Sequence, residues 1–126
     1  MKAKRNCTGF TLIELLVVMV IIATLLSIVA PRYFKSLDRS KETVLRQDLN
    51  VMRDAIDKFH GDTGRYPLTL DELAQRRYLR AIPVDPLTES AATWVVTSPP
   101  HASEGVYDVR SGSQEKAQDG TPYETW

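Results

Sequence analysis

A single carboxylate interrupts a long apolar segment near the start of the chain. Glu14 is the only charged residue among the 21 residues from Phe10 to Ala30. An ionisable side chain is costly in lipid unless it finds a partner, so its presence in such a segment indicates a function. The chemistry open to this carboxylate is ion pairing, and the partner that we expect is an amine.

The other ionisable residues give no indication of an enzyme. Asp71 and Glu72 follow Thr69 at the spacing of a helix capping box, so they are explained as acids of a first helical turn. His60 and His101 are distant in sequence, and neither has a metal-ligand spacing around it. The sequence also lacks a glycine-rich phosphate loop, a Cys-x-x-Cys pair and a recognisable Ser-His-acid arrangement.

Composition limits the remaining possibilities. The 126 residues hold one small domain in addition to the apolar segment. Three of the 16 basic residues precede Phe10, which leaves 13 basic and 16 acidic residues beyond it, the opposite of a nucleic-acid-binding balance. The only cysteine, Cys7, also precedes Phe10. The rest of the chain therefore cannot form an internal disulfide and must be stabilised in another way.

The elements that position Glu14 are two halves of one predicted helix of about 50 residues. Residues 10–30 would form a helix of about 31 Å at roughly 1.5 Å per residue, which matches the hydrocarbon core of a bilayer. Pro31 follows, and we expect it to bend the helix rather than end it, because helical spacing resumes beyond it. From Arg32 to His60 the pattern predicts an amphipathic helix, which Gly61 would end. Its apolar positions are Leu37, Val44, Leu45, Leu49, Met52, Ile56 and Phe59.

The leader and the start of the apolar run resemble a known signal. Residues 1–9 are short and basic and end in Gly9, so the small-residue cleavage site precedes the apolar run instead of following it. The sequence Gly-Phe-Thr-Leu-Ile-Glu at 9–14 resembles the class III signal of type IV pilins and type II secretion pseudopilins. The resemblance implies that a prepilin peptidase cuts after Gly9 and methylates the new N-terminus of Phe10. It also implies that Glu14 neutralises that amine during assembly and that Pro31 is the proline found there in many pilins.

The C-terminal half predicts a small α+β domain. The order Gly-Arg-Tyr-Pro at 64–67 is similar to the corresponding turn of major pseudopilins of type II secretion. A short helix is predicted from Leu70 to Arg77, followed by an extended segment from Tyr78 to Pro86. Residues 93–97 and 105–109 are rich in β-branched and aromatic residues and predict an antiparallel hairpin within 93–109. The expected architecture is the pilin fold, in which the long helix packs on a small antiparallel sheet.

The C-terminal loop, residues 110–126, carries the second kind of candidate chemistry. Major pseudopilins are similar in ending with an acidic, glycine-containing loop and a Trp, and the resemblance implies that this loop binds calcium. Their paired aspartates fall where this chain has Thr121 and Pro122. Three carboxylates remain as candidate calcium ligands, namely Asp119, Glu115 and Asp108. The alternative is a loop held by hydrogen bonds, Pro122 and the buried rings of Tyr123 and Trp126.

Taken with the resemblance, the sequence predicts a structural subunit of a type II secretion pseudopilus, which helps to drive protein export across the outer membrane. The expected partners are further copies of the chain, other pseudopilins, an inner-membrane assembly platform and the prepilin peptidase. The expected location is the inner membrane, crossed once, with residues 31–126 in the periplasm. One alternative is a type IV pilin acting in adhesion, twitching or DNA uptake. A second is an uncleaved, membrane-anchored periplasmic binding module.

Overall fold

A computed structural model describes residues 1–4 and 6–126, and Arg5 of the leader lies outside the described residues. The chain divides into two compact units, Met1–Leu37 and Asp38–Trp126. The first unit holds the leader and the beginning of helix α1. The second holds the rest of α1 and the small C-terminal domain.

Helix α1 spans Leu12–Thr63, a total of 52 residues, and it continues through Pro31. The predicted end at Gly61 is corrected by the structure, because Gly61 remains helical and the helix runs three residues past His60. Gly64 has a left-handed backbone, at a φ of 75°, and its N–H donates to the carbonyl of His60 at 2.8 Å. The glycine that ends the helix is therefore Gly64, three residues after the predicted Gly61.

Helix α2 is a single short turn of helix, Leu70–Gln75. The hydroxyl of Thr69 caps it by accepting the N–H of Glu72 at 3.3 Å, as the predicted capping box requires. The carboxylate of Glu72 accepts the N–H of Leu68 instead of the N–H of the cap residue. The helix ends two residues before the predicted Arg77, which has a φ of 63° that a helix cannot continue.

A two-stranded antiparallel sheet follows, formed by β1 at Val95–Thr97 and β2 at Asp108–Arg110, with Val96 opposite Val109. Both strands are shorter than predicted, and β2 begins three residues later than expected. The cause is a competing partner, since the N–H of Val106 donates to the carbonyl of Pro67 at 2.7 Å. This bond ties the predicted start of the strand to the turn after α1.

The hydrophobic core lies in the second unit and joins α1 to the C-terminal domain. One face of α1 contributes Leu45, Leu49, Met52, Ala55, Ile56 and Phe59. The rest of the chain contributes Leu73, Leu79, Trp94, Val106, Val109, Ala117 and Tyr123. The predicted α+β pilin fold, with a long helix and a small antiparallel sheet, is confirmed.

Candidate functional site

The predicted cleavage site lies outside any helix or strand. The described residues that precede α1 have no regular secondary structure. Phe10 is 95% exposed, and a Cβ added to Gly9 would meet no atom within 4 Å. The peptide bond between Gly9 and Phe10 is therefore open to solvent two residues before the helix begins.

Thr11 and Glu14 form a reciprocal capping box that starts α1. The hydroxyl of Thr11 accepts the N–H of Glu14 at 3.2 Å, and the Glu14 carboxylate accepts the N–H of Thr11 at 2.8 Å. The carbonyl of Thr11 accepts the first helical bond, from the N–H of Leu15. The sequence analysis assigned Glu14 to pairing with an amine and missed this contact. The signal that could have revealed it is a Thr three residues before a Glu at the start of an apolar run.

The N-terminal half of α1 presents an apolar surface that is exposed in the structure. All residues from Leu12 to Ser40 are exposed. By length and composition, α1 is the one helix in the described part of the chain that could cross a membrane. Pro31 lies inside it, and proline has no N–H to donate to the carbonyl of Ser27, four residues earlier.

The three candidate calcium ligands do not come together in this structure. Asp108 pairs with Arg53, whose Nε lies 2.8 Å from Oδ1, and the same oxygen accepts the N–H of Val109 at 2.8 Å. Asp119 forms a turn by accepting the N–H of Thr121 at 2.9 Å and its hydroxyl at 2.6 Å. These bonds hold the pKa of Asp119 below its usual range.

The backbone of Glu115, the third candidate, serves the fold of the loop. Its carbonyl accepts the N–H of Tyr123 at 3.2 Å, and its N–H donates to the hydroxyl of Ser113. Among residues 1–4 and 6–126, no group of three or more His, Cys, Asp or Glu side chains is placed to hold a metal ion. Calcium needs six to eight oxygen ligands around one point, so the residues as arranged here do not fit a calcium site.

Charged residues of α1 contact the C-terminal loop and its neighbouring strand. Glu42 accepts the N–H of Gln118 at 2.8 Å and the hydroxyl of Tyr123 at 3.0 Å. Arg53 donates to Asp108 and to main-chain oxygens of the loop region. The signal in the sequence is position, because Glu42 precedes the buried Leu45 by three residues and therefore borders the apolar stripe.

A buried carboxylate lies elsewhere in the second unit. The side chain of Asp85 is fully buried and accepts the hydroxyl of Ser111 at 2.5 Å and the N–H of Leu87 at 2.9 Å. Burial, together with the nearby charge of Asp85, raises the pKa of Asp48. Asp85 ties its loop to the residues that follow β2, which is a structural function.

The chain is similar to one protein family and to several known proteins. Residues 4–30 match the family described as "Prokaryotic N-terminal methylation motif". The type II secretion system core protein G of Pseudomonas aeruginosa is 33% identical over 99 residues, which cover 66% of this chain and 70% of that protein. The protein of the same name from Aeromonas hydrophila is 30% identical over 99 residues, which cover 66% of this chain and 69% of that protein. The protein of the same name from Klebsiella michiganensis is 29% identical over 135 residues, which cover 94% of this chain and 89% of that protein. No solved structure matches the chain at a significant level.

Proposed function

The chain belongs to the family of type II secretion system core protein G, and we infer that it is a structural subunit of a type II secretion pseudopilus. The observation that carries this function is the apolar surface of α1, which is exposed along its length from Leu12 to Ala30. An exposed apolar surface of this size requires lipid or a protein partner. Lipid would cover it before assembly, and the same helix of neighbouring subunits would cover it in the filament.

We propose that a prepilin peptidase cuts the chain between Gly9 and Phe10 and that Phe10 is then N-methylated. An exposed segment without regular structure suits a protease, because its backbone is not held in a helix. The capping box of Thr11 and Glu14 supports this step by starting α1 after the bond to be cut.

The cut would give Glu14 a second possible partner. It would leave a charged amine on Phe10, four residues before the carboxylate. In a medium of low dielectric, attraction between these charges is much stronger than in water. We propose that Glu14 pairs with the amine of its own or a neighbouring subunit as the chain leaves the membrane, and that Pro31 shapes α1 for packing in the filament.

The proposed location follows from the same segment. Anchoring in the inner membrane by a single helix fits α1, and the basic Lys2 and Lys4 favour a cytoplasmic leader. This orientation would place residues 31–126 in the periplasm. The proposed partners are copies of this chain, other pseudopilins, an inner-membrane assembly platform and the prepilin peptidase, and the resulting filament would help to export proteins across the outer membrane.

Mass spectrometry of the membrane-extracted chain tests the processing step. We expect a mature chain that starts at Phe10 and carries one added methyl group when a prepilin peptidase is present. Gly9→Leu is a useful control, because nothing lies near the Cβ position and the chain itself should be undisturbed. An intact Met1, or a mature start at another residue, would contradict the filament function.

Sedimentation of mechanically sheared material tests assembly. We expect the mature chain in filaments that pellet at high speed, and the Gly9→Leu variant only in the membrane fraction. A correctly processed chain that never leaves the membrane fraction would contradict a role as a filament subunit while leaving the processing step intact.

A further inference from the structure

The C-terminal loop is attached to α1 by three side chains of the helix, Glu42, Arg46 and Arg53. They lie at spacings of four and seven residues, so they share one side of the helix. We call these three residues and their partners in residues 108–126 the C-terminal clasp.

Arg53 is the centre of the clasp. Its Nε donates to the Asp108 carboxylate at 2.8 Å, and its Nη2 donates to the main-chain oxygens of Val109 at 3.1 Å and Trp126 at 2.7 Å. One guanidinium thus joins strand β2 and the last residue of the loop to the helix. The planar fork of arginine can satisfy three acceptors at once, which a lysine cannot do with the same geometry.

Glu42 holds the middle of the loop. Its Oε1 accepts the N–H of Gln118 at 2.8 Å and the hydroxyl of Tyr123 at 3.0 Å. Tyr123 is only 4% exposed, and burial together with the bond to Glu42 raises its pKa to about 12. The tyrosine therefore remains a neutral hydrogen-bond donor over the whole physiological pH range.

Arg46 completes the clasp from outside. Its guanidinium carbon lies 4.0 Å from the centre of the Trp126 ring, which packs edge-on against Tyr123 at 5.0 Å. The indole N–H donates to the Thr121 hydroxyl at 3.0 Å, and that hydroxyl donates to Asp119. Two guanidinium groups thus border the loop, and a divalent cation would be repelled by both.

We propose that the C-terminal clasp closes the loop of this chain against α1 without a bound metal ion. Two of the three candidate calcium ligands are engaged in other contacts, Asp108 with Arg53 and Asp119 with the backbone and hydroxyl of Thr121. Arg46 and Arg53 face the loop with positive charges, and Glu42 is bonded to Gln118 and Tyr123, so among the described residues no set of carboxylates converges as a calcium site requires. This closure is a property of the folded domain and goes beyond the proposed function, so it stands whether or not the chain is incorporated into filaments.

Thermal unfolding of the full chain in detergent provides the first test, with Trp94 and Trp126 as fluorescent reporters. We expect the same Tm in millimolar calcium and in excess chelator. A Tm that rises with calcium in the wild type would overturn the proposal. This measurement needs no folded variant, because the wild type alone answers whether calcium stabilises the domain.

Substitution of Arg53 provides the second test. Arg53→Met keeps most of the aliphatic stem and loses three hydrogen bonds, so we expect Tm to fall by about 5 to 10 °C with or without calcium. Arg53→Lys should recover part of this loss by pairing with Asp108. Lys58→Met is the matched control, since Lys58 is exposed on the same helix, and its Tm should stay close to that of the wild type.

The Glu42 variants test the contacts of Glu42 separately from those of Arg53. Glu42→Gln keeps an oxygen for Gln118 and Tyr123, whereas Glu42→Leu removes it, so we expect the leucine variant to have the lower Tm. Hydrogen exchange of residues 115–126 should be faster in Glu42→Leu than in Lys58→Met. Equal exchange in these two variants, or an Arg53→Met variant as stable as Lys58→Met, would refute the clasp.

Discussion

Substitution of Glu14 can separate the capping contact that the structure shows from the charge pairing that we propose. In the uncut chain, Glu14 caps α1 by accepting the N–H of Thr11 at 2.8 Å. In the proposed mature subunit it also neutralises the amine of Phe10. Glu14→Val removes both functions, whereas Glu14→Gln keeps an oxygen that can accept the N–H of Thr11 and removes only the charge.

The two functions differ in size. Loss of a capping contact typically costs about 1 kcal/mol, which is roughly a fivefold change in an equilibrium. Two opposite charges about 4 Å apart interact by about 4 kcal/mol at an effective dielectric constant of about 20, which is close to a thousandfold. If the charge is the important feature, Glu14→Gln and Glu14→Val should be equally defective. If capping is the important feature, Glu14→Gln should behave almost as the wild type.

We expect both variants to be processed and inserted in the membrane, and both to be nearly absent from filaments. The assay is co-production of a tagged variant with the wild-type chain, followed by the ratio of variant to wild type in sheared filaments and in the membrane fraction. Thr11→Val is the matched control, because it loses the capping hydroxyl and keeps the charge. Its incorporation should stay within about fivefold of the wild type.

Incorporation of Glu14→Gln at close to the wild-type level would refute the charge-pairing argument. Strong loss of incorporation in Thr11→Val would refute it as well, because the capping contact would then carry the effect. Failure of either Glu14 variant to insert in the membrane would show that the carboxylate acts before assembly.

The remaining predictions concern the folded domain. Gly112→Ala should destabilise it by about 2 to 3 kcal/mol in thermal unfolding, because the new Cβ would collide with the main-chain carbonyl of Thr93. The control is Gly61→Ala, which should be neutral or slightly stabilising because nothing lies near its Cβ. Equal effects of the two substitutions would contradict the packing at Gly112. Hydrogen bonds, chiefly from Arg65, lower the pKa of Glu72 to about 2. Its ionised form therefore adds stability that is complete above about pH 4.5 and is lost as the pH falls through about 2, so Glu72→Gln should cost about 1 kcal/mol at neutral pH and progressively less as the pH falls to 2 and below, measured by denaturant unfolding.

The local features of this chain could be predicted from its sequence because their signals lie within a few residues of one another. The apolar run and the stripe from Leu45 to Phe59 predict the two halves of α1, and the capping residue Thr69 predicts α2. The errors occur where partners are distant. The start of β2 moved because Val106 bonds to Pro67, 39 residues earlier in the chain, and no periodicity within the strand reports such a contact.

The same distinction explains why the clasp was missed. Arg53 and Asp108 are 55 positions apart, and each is an ordinary surface residue by local pattern. Composition indicates only that some interaction other than a disulfide must hold the loop, because residues after Phe10 contain no cysteine. Side chains at the border of an apolar stripe are the ones to inspect first, because they reach the surface that covers the core while their charged ends remain near solvent.

The two ends of α1 differ in how far their side chains are buried or hydrogen-bonded. In the second unit, the polar side chains of Glu42 and Arg53 have hydrogen-bond partners within the same domain. In the first unit, the apolar side chains of α1 are exposed, and among the described residues the Glu14 carboxylate accepts a hydrogen bond from Thr11. Glu14 can exchange this partner at a net gain in free energy. An ion pair in a water-poor environment is more stabilising than the one exposed hydrogen bond that it would replace. The N-terminal part of α1, whose apolar side chains are exposed in the single chain, is thus the part that would contact neighbouring subunits in the proposed filament.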